Sequence, residues 1–125
     1  MADPLIAESP ADQPVYQDRQ LVVTRTETPF GLRFAGEIDI NNSSAVELAL
    51  RKLDDSEFTP HLDLRRLVFC DVSGIRALVT IARFLAPDRR LLLHGLPPDL
   101  ERVIRVTGWS EEPGLSLCQC MEESA

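Results

Sequence analysis

The stretch LVFCDVSGIRALV, residues 67 to 79, places Ser73 between Val72 and Gly74 with Asp71 two residues before it. An apolar run turns there into a segment with helical spacing, so the serine stands where a helix offers unpaired backbone N–H groups and the positive end of its dipole. Three kinds of chemistry use a serine so placed. It can cap the helix, a role Asp71 could fill equally well. It can act as a nucleophile, with Asp71 and His94 recruited as orienter and base. It can also accept a phosphoryl group from another protein, because a helix N-terminus tolerates an anion.

The residue types around Ser73 weigh these readings differently. No capping box supports the serine, since the residue three positions on is Arg76 rather than Glu or Gln. A nucleophile elbow needs glycine two before and two after the serine, and those positions hold Asp71 and Ile75. No glycine-rich oxyanion loop is visible either, so a small serine hydrolase is the weakest reading. A phosphoacceptor needs no catalytic group of its own, and Arg76 lies one turn into the helix. The chain lacks a GxxxxGK[ST] loop and a glycine-rich nucleotide fingerprint, so no kinase machinery and no cofactor is expected. An enzyme is not expected.

Cysteines and histidines offer little else. Cys70 ends an apolar strand and reads as a small core residue. Cys118 and Cys120 stand two apart, so in a strand they share a face. His61 and His94 do not supply zinc-site spacing, and no metal is expected. With no basic, apolar leader pattern at the start and no apolar run of bilayer length, the sequence predicts a cytoplasmic protein with free thiols and no membrane contact.

The chain has 125 residues and a formal net charge of −7, which argues against direct nucleic-acid binding. The charge is uneven. Residues 65 to 105 carry eight arginines against four acids, whereas the remainder carries 5 basic and 16 acidic residues. A solvated arginine-rich surface accounts for this. Such an asymmetry could also orient a charged partner.

These residues need elements to position them. Residues 1–18 hold three prolines among acidic and small residues and read as a flexible tail, with one domain over 19–121. QLVVTRTE and FGLRFAGEI alternate as two neighbouring strands, with Pro29 and Gly31 at the turn. In DINNSSAVELALRKL, Ser44 and Glu47 fit a capping box, and Val46, Ala49, Leu50 and Leu53 form one apolar face. HLDLRRLVFC is a third strand whose LVFC end is apolar on both faces, as an interior strand would be. The next helix runs from Ser73 or Gly74 to about Ala86, with Ile75, Leu78, Val79, Ala82 and Leu85 buried and Pro87 stopping it. RRLLLHGL is a fourth strand, PPDLERVIRVTGW a third helix with Leu100, Val103 and Ile104 inward, and GLSLCQC a last strand. Strands alternating with helices predict an α/β fold with a small mixed, mostly parallel sheet of four to five strands. The loops at the carboxyl ends of such strands, DINNSS and CDVSGI, are the expected functional surface.

Four pieces in this order, GEIDI, LDLRRLVFCDVSGIRALV, RLLLHGLPPDLERVIRVTGW and the spacing between them, resemble a STAS domain of the anti-sigma-factor-antagonist type. The likeness covers about residues 19 to 120, and D-x-S-G-[ILMV] after an apolar strand is its most specific part. It implies a small sheet with helices mainly on one face. It also implies binding to an anti-sigma factor, often a serine kinase of the GHKL ATPase type, which frees a sigma factor. By the same resemblance Ser73 is the phosphorylated residue, phosphorylation abolishes binding and a PP2C-like phosphatase restores it. Asp39, Asp71, Val72, Gly74, Ile75 and Arg76 are then the partner-binding positions. One departure is Val72, where many relatives carry a second hydroxyl residue. Relatives that act as unphosphorylated scaffolds or nucleotide-binding modules are the alternative.

Overall fold

The computed structural model describes residues 14–55, 59–85 and 88–118. Six strands form one sheet in sequential order: β1 (Pro14–Gln17), β2 (Leu21–Glu27), β3 (Phe30–Ile38), β4 (His61–Cys70), β5 (Leu91–His94) and β6 (Leu115–Cys118). β1–β2 and β2–β3 are antiparallel, and β3–β4, β4–β5 and β5–β6 are parallel. Helices α1 (Ser43–Arg51), α2 (Val72–Leu85) and α3 (Pro98–Val106) fill the three parallel crossovers. The expected mixed, mostly parallel sheet is therefore present with one strand more. That strand is β1, which lies in the stretch assigned to the tail. Its short run PVYQ is pinned to β2 by the pairs Pro14↔Thr24 and Gln17↔Val22, which composition alone does not reveal.

The core follows the two-residue alternation of the strands. Leu21, Val23, Leu32, Phe34, Leu62, Leu64, Leu91, Leu93 and Leu115 are buried on one face and meet Val46, Leu50, Ile75, Leu78, Ile81 and Ala82 of α1 and α2 in one cluster. By register, Thr24, Arg33, Asp63, Leu92, His94 and Ser116 lie on the other face.

Three expectations are corrected. The far end of β4 is not covered on both sides: Val68 is 74% exposed and Phe69 51%, because β5 pairs with β4 only across His61–Asp63. Val103 is 38% exposed, so α3 buries Leu100 and Ile104 alone. The Ser44–Glu47 capping box does not form. The helix begins two residues earlier, with Asn42 as N-cap, and Glu47 pairs with Arg51 at 2.9 Å. Gly108 does end the third helix, in the left-handed region at φ 88°, with its N–H on the Arg105 carbonyl. Of the paired cysteines, Cys118 ends β6 and Cys120 lies outside the described residues.

Candidate functional site

The two loops singled out by fold logic meet at the carboxyl ends of β3 and β4. β3 and β4 run side by side to the pair Ile38↔Cys70, and the Asp71 N–H then donates to the Ile38 carbonyl at 3.1 Å. The chain leaves β3 through Asp39–Asn42 into α1 and leaves β4 through Asp71 into α2. Parallel pairing thus delivers both helix N-termini to one end of the sheet.

Asp71, not Ser73, caps α2. Its Oδ1 accepts the Ser73 N–H at 2.9 Å and the Gly74 N–H at 3.2 Å, which are donors the helix cannot satisfy internally. The same oxygen accepts the Ser73 hydroxyl at 2.5 Å. Burial pushes the Asp71 carboxyl up, but the hydrogen bonds from the Ser73 hydroxyl and from the Gly74 and Ser73 N–H groups outweigh it and hold it below the usual carboxylate range. One residue therefore joins the two loops, by its N–H on the Ile38 carbonyl and its carboxylate on the start of α2, and orients the serine.

The first loop is shaped from behind. The Asn42 side chain is 1% exposed; its Oδ1 accepts the Asp39 N–H at 2.9 Å, and its Nδ2 donates to the Glu37 carbonyl at 3.0 Å. Asp39 uses its own carboxylate on the Asn41 N–H, at 2.9 Å. Ile40, in this loop, is 75% exposed, and Val72, at the start of α2, is 52% exposed. A shallow groove of about 200 Å³ opens beside Ser73, lined also by Ser43, Ser44, Glu47, Arg76 and Thr80. Arg76 is exposed there.

The structure gathers Asp39, Asp71, Val72, Ser73, Gly74 and Arg76 at this end. Two of the partner-binding positions expected from the sequence, Ile75 and Gly74, offer a partner no accessible side chain. Ile75 is 2% exposed and belongs to the core, since it points down the apolar stripe of α2. Gly74 is buried, and a Cβ there would stand 2.5 Å from Cys70 Sγ and 2.7 Å from Ile38 Cγ2, so the position needs glycine for close approach. Ile40 and Asn42 were not singled out from sequence. An asparagine just ahead of a helix is the only signal that pointed to the second.

The remaining chemistry-bearing residues lie elsewhere. Cys70 sits beneath the site, where burial first and Asp71 second push its thiol up to about 12, so it is a poor nucleophile. His94 is level with Asp63, at the opposite end of β4 from Asp71, and its Nε2 meets His61 Nδ1 at 2.7 Å. His94 and Ser73 are therefore not brought together, and the base–nucleophile pair considered from sequence does not form. Asp63 is buried and held by Arg65 at 3.0 Å and Arg33 at 3.6 Å.

Strand order, crossovers and the paired loops define a STAS-type α/β domain. A family model described as "Mlab, STAS domain" matches residues 21–118, and the chain belongs to the STAS-domain family. Among solved structures, an anti-sigma factor antagonist from Mycobacterium paratuberculosis is similar, with a TM-score of 0.61 and 23% sequence identity, over 77% of this chain and 83% of that one. That likeness is one of fold. No curated protein matches the sequence. Among the described residues no helix is long and apolar enough to cross a membrane.

Proposed function

We propose that this chain is an anti-sigma-factor antagonist: it binds an anti-sigma factor of the serine-kinase type and releases a sigma factor, and phosphorylation of Ser73 switches it off. The observation that carries the reading is the placement of the Ser73 hydroxyl. It stands at the N-terminus of α2, beside an open groove, and the adjacent Val72 and the Ile40 of the β3–α1 loop are exposed. The solved relative named an anti-sigma factor antagonist shares this fold and supports the role.

The geometry supplies a physical basis for a switch. In the unmodified state the hydroxyl donates to Asp71 at 2.5 Å. A phosphoryl group removes that proton and brings a charge of about −1.5 to −2 against an ionised carboxylate. The side chain must then turn out toward the groove, where Arg76 and the hydroxyls of Ser43, Ser44 and Thr80 stand. A partner that packs on Ile40 and Val72 would have to bury this dianion, which is costly without a matched cation. A phosphatase of the PP2C-like kind would reverse the change.

A second reading has one observation in its favour. Val72 presents an exposed apolar side chain where many STAS relatives carry a hydroxyl residue, which suits an unphosphorylated interaction or nucleotide-binding module. Binding partners are first captured from the native lysate and identified by mass spectrometry. The captured kinase, incubated with the chain and ATP, should add one phosphoryl group to the intact mass, and none to Ser73→Ala. Ser73→Asp should lose affinity for that partner while Ser73→Ala keeps it. Equal binding by the two variants, or no added mass, would decide for the second reading.

A further inference from the structure

We propose that Asn42, backed by Asp18 and Tyr16, is a positioning residue for the Ser73 site: through it the first strand and its turn hold the end of β3, whose Ile38 carbonyl takes the Asp71 N–H, and so fix the serine hydroxyl. The inference deepens the reading of Ser73 as a switch, but its geometry stands without phosphorylation.

Asn42 occupies the N-cap of α1, where an asparagine ordinarily turns forward to bond the N–H groups of the first turn. Here it makes no such bond. It turns backward instead, and every hydrogen-bonding atom of its amide is spent on the end of β3, the loop after it and the β1–β2 turn. Oδ1 takes the Asp39 N–H, and the two Nδ2 hydrogens go to the Glu37 carbonyl and to Asp18 Oδ2 at 3.2 Å. A buried amide that forgoes its cap costs stability unless fully paired, and this one is fully paired to the loop. Its work is therefore done on residues 37 to 42.

Asp18 is itself fixed. Its Oδ1 accepts the N–H groups of Gln20 and Leu21 at 2.7 and 2.8 Å, and its Oδ2 accepts the Tyr16 hydroxyl at 2.5 Å. The Tyr16 hydrogen bond is the main reason the Asp18 carboxyl lies below the usual range, and Tyr16 is raised by the same bond. The connections run from Tyr16 in β1 to Asp18 and Asn42, then through the Glu37–Asp39 backbone to the Ile38 carbonyl, Asp71 and Ser73. β1 is also an edge strand. Whatever displaces it is felt at the serine.

The test uses the full isotope-labelled chain and two variants, Asn42→Ala and Tyr16→Phe, followed by NMR with a carboxyl titration. The expected result is that the amide signals of Ile40, Ser73 and Gly74 move. The Asp71 titration midpoint should also rise toward the ordinary value as Asp71 loses its seat on the end of β3 and its carboxylate contacts slacken, while that of Asp63, at the far end of β4, stays put. Tyr16→Phe should give the smaller shift in the same direction. If Asn42→Ala does not fold, Tyr16→Phe, which deletes one hydroxyl from a half-buried ring, carries the test alone. Unmoved Asp71 and Ser73 signals, with only a lower thermal midpoint, would make Asn42 a mere stabilising residue and overturn the proposal. That outcome would leave the phosphoacceptor reading intact, and a Ser73 that no kinase modifies would leave the positioning role intact.

Discussion

Replacing Gly74 by alanine tests whether the loop glycine is there for steric reasons. Gly74 has no left-handed backbone, so the usual argument for glycine does not apply. In an ordinary helix the change would gain up to about 1 kcal/mol from backbone entropy and propensity. Here the added Cβ would lie 2.5 Å from Cys70 Sγ, 2.7 Å from Ile38 Cγ2 and 3.2 Å from Ile38 Cβ. Carbon contacts are normally near 3.5 to 4.0 Å, so about 1 Å of separation has to be found. Ile38 is 0% exposed and β-branched, and cannot yield it by rotation. Either α2 lifts off the end of β3 or the sulfur leaves its rotamer. Overpacking of this kind costs about 1 to 3 kcal/mol, so the helix gain is outweighed and a net loss of about 1 to 2 kcal/mol is expected. For a domain of this size that is a fall of roughly 4 to 8 °C in thermal midpoint. The assay is a double-mutant cycle with Cys70→Ala, read by urea unfolding. Removing the sulfur relieves the first clash but not those with Ile38, so the two changes should couple favourably by about 1 kcal/mol, with stability only partly restored. A Gly74→Ala chain as stable as the parent, or zero coupling to Cys70→Ala, would refute the steric argument.

The other consequences are quicker to state. His61 and His94 are both held below the ordinary imidazole range, by burial in each case and for His94 by the facing His61 and by Arg65 as well, with Asp63 opposing. The unfolded chain therefore takes up these protons first, near pH 6.5, and stability should fall as the pH drops from about 7 toward 5, above the range where the carboxylates titrate. A urea midpoint that stays flat or rises over that window would contradict this. Ile75→Ala should cost about 2 to 5 kcal/mol, whereas Val72→Ala, at an exposed side chain, should stay within about 0.5 kcal/mol. Equal losses at the two positions in urea unfolding would show that the first turn of α2 is misread.

The parts of the fold that were legible are those written in local periodicity. α2 announced itself because Ile75, Leu78, Val79, Ala82 and Leu85 recur at helical spacing, and all five are buried. β1 left no such trace, since four residues containing a proline and a tyrosine have no period to read, and only pairing with β2 makes them a strand. The end of β4 was misjudged for a related reason. Val68 and Phe69 read as an interior strand, but whether a neighbour reaches them depends on the length of β5, a non-local fact. The capping box at Ser44 failed because a competing residue, Asn42, had already claimed the helix start.

The same division runs through the site. Asp71-Val72-Ser73-Gly74 is a local motif, and its spacing alone left open whether the aspartate or the serine caps the helix. The structure gives that task to Asp71, and the distinction matters for any modification of Ser73. A serine that capped the helix would have to hold the helix start and carry a phosphoryl group with the same oxygen. A serine whose hydroxyl only donates to the cap leaves the Ser73 and Gly74 N–H groups satisfied when it turns away. The helix start and the proposed phosphoacceptor are thus different side chains two residues apart. That separation would let charge change at the surface without unfolding what lies beneath it. Asp71 then has to hold both the helix and, through its N–H, the end of β3, and the residues that keep the loop after β3 in place, Asn42 and Asp18, are 24 positions apart in sequence. No window on the sequence joins them; only the closing of β1 onto β2 brings Asp18 beneath the loop.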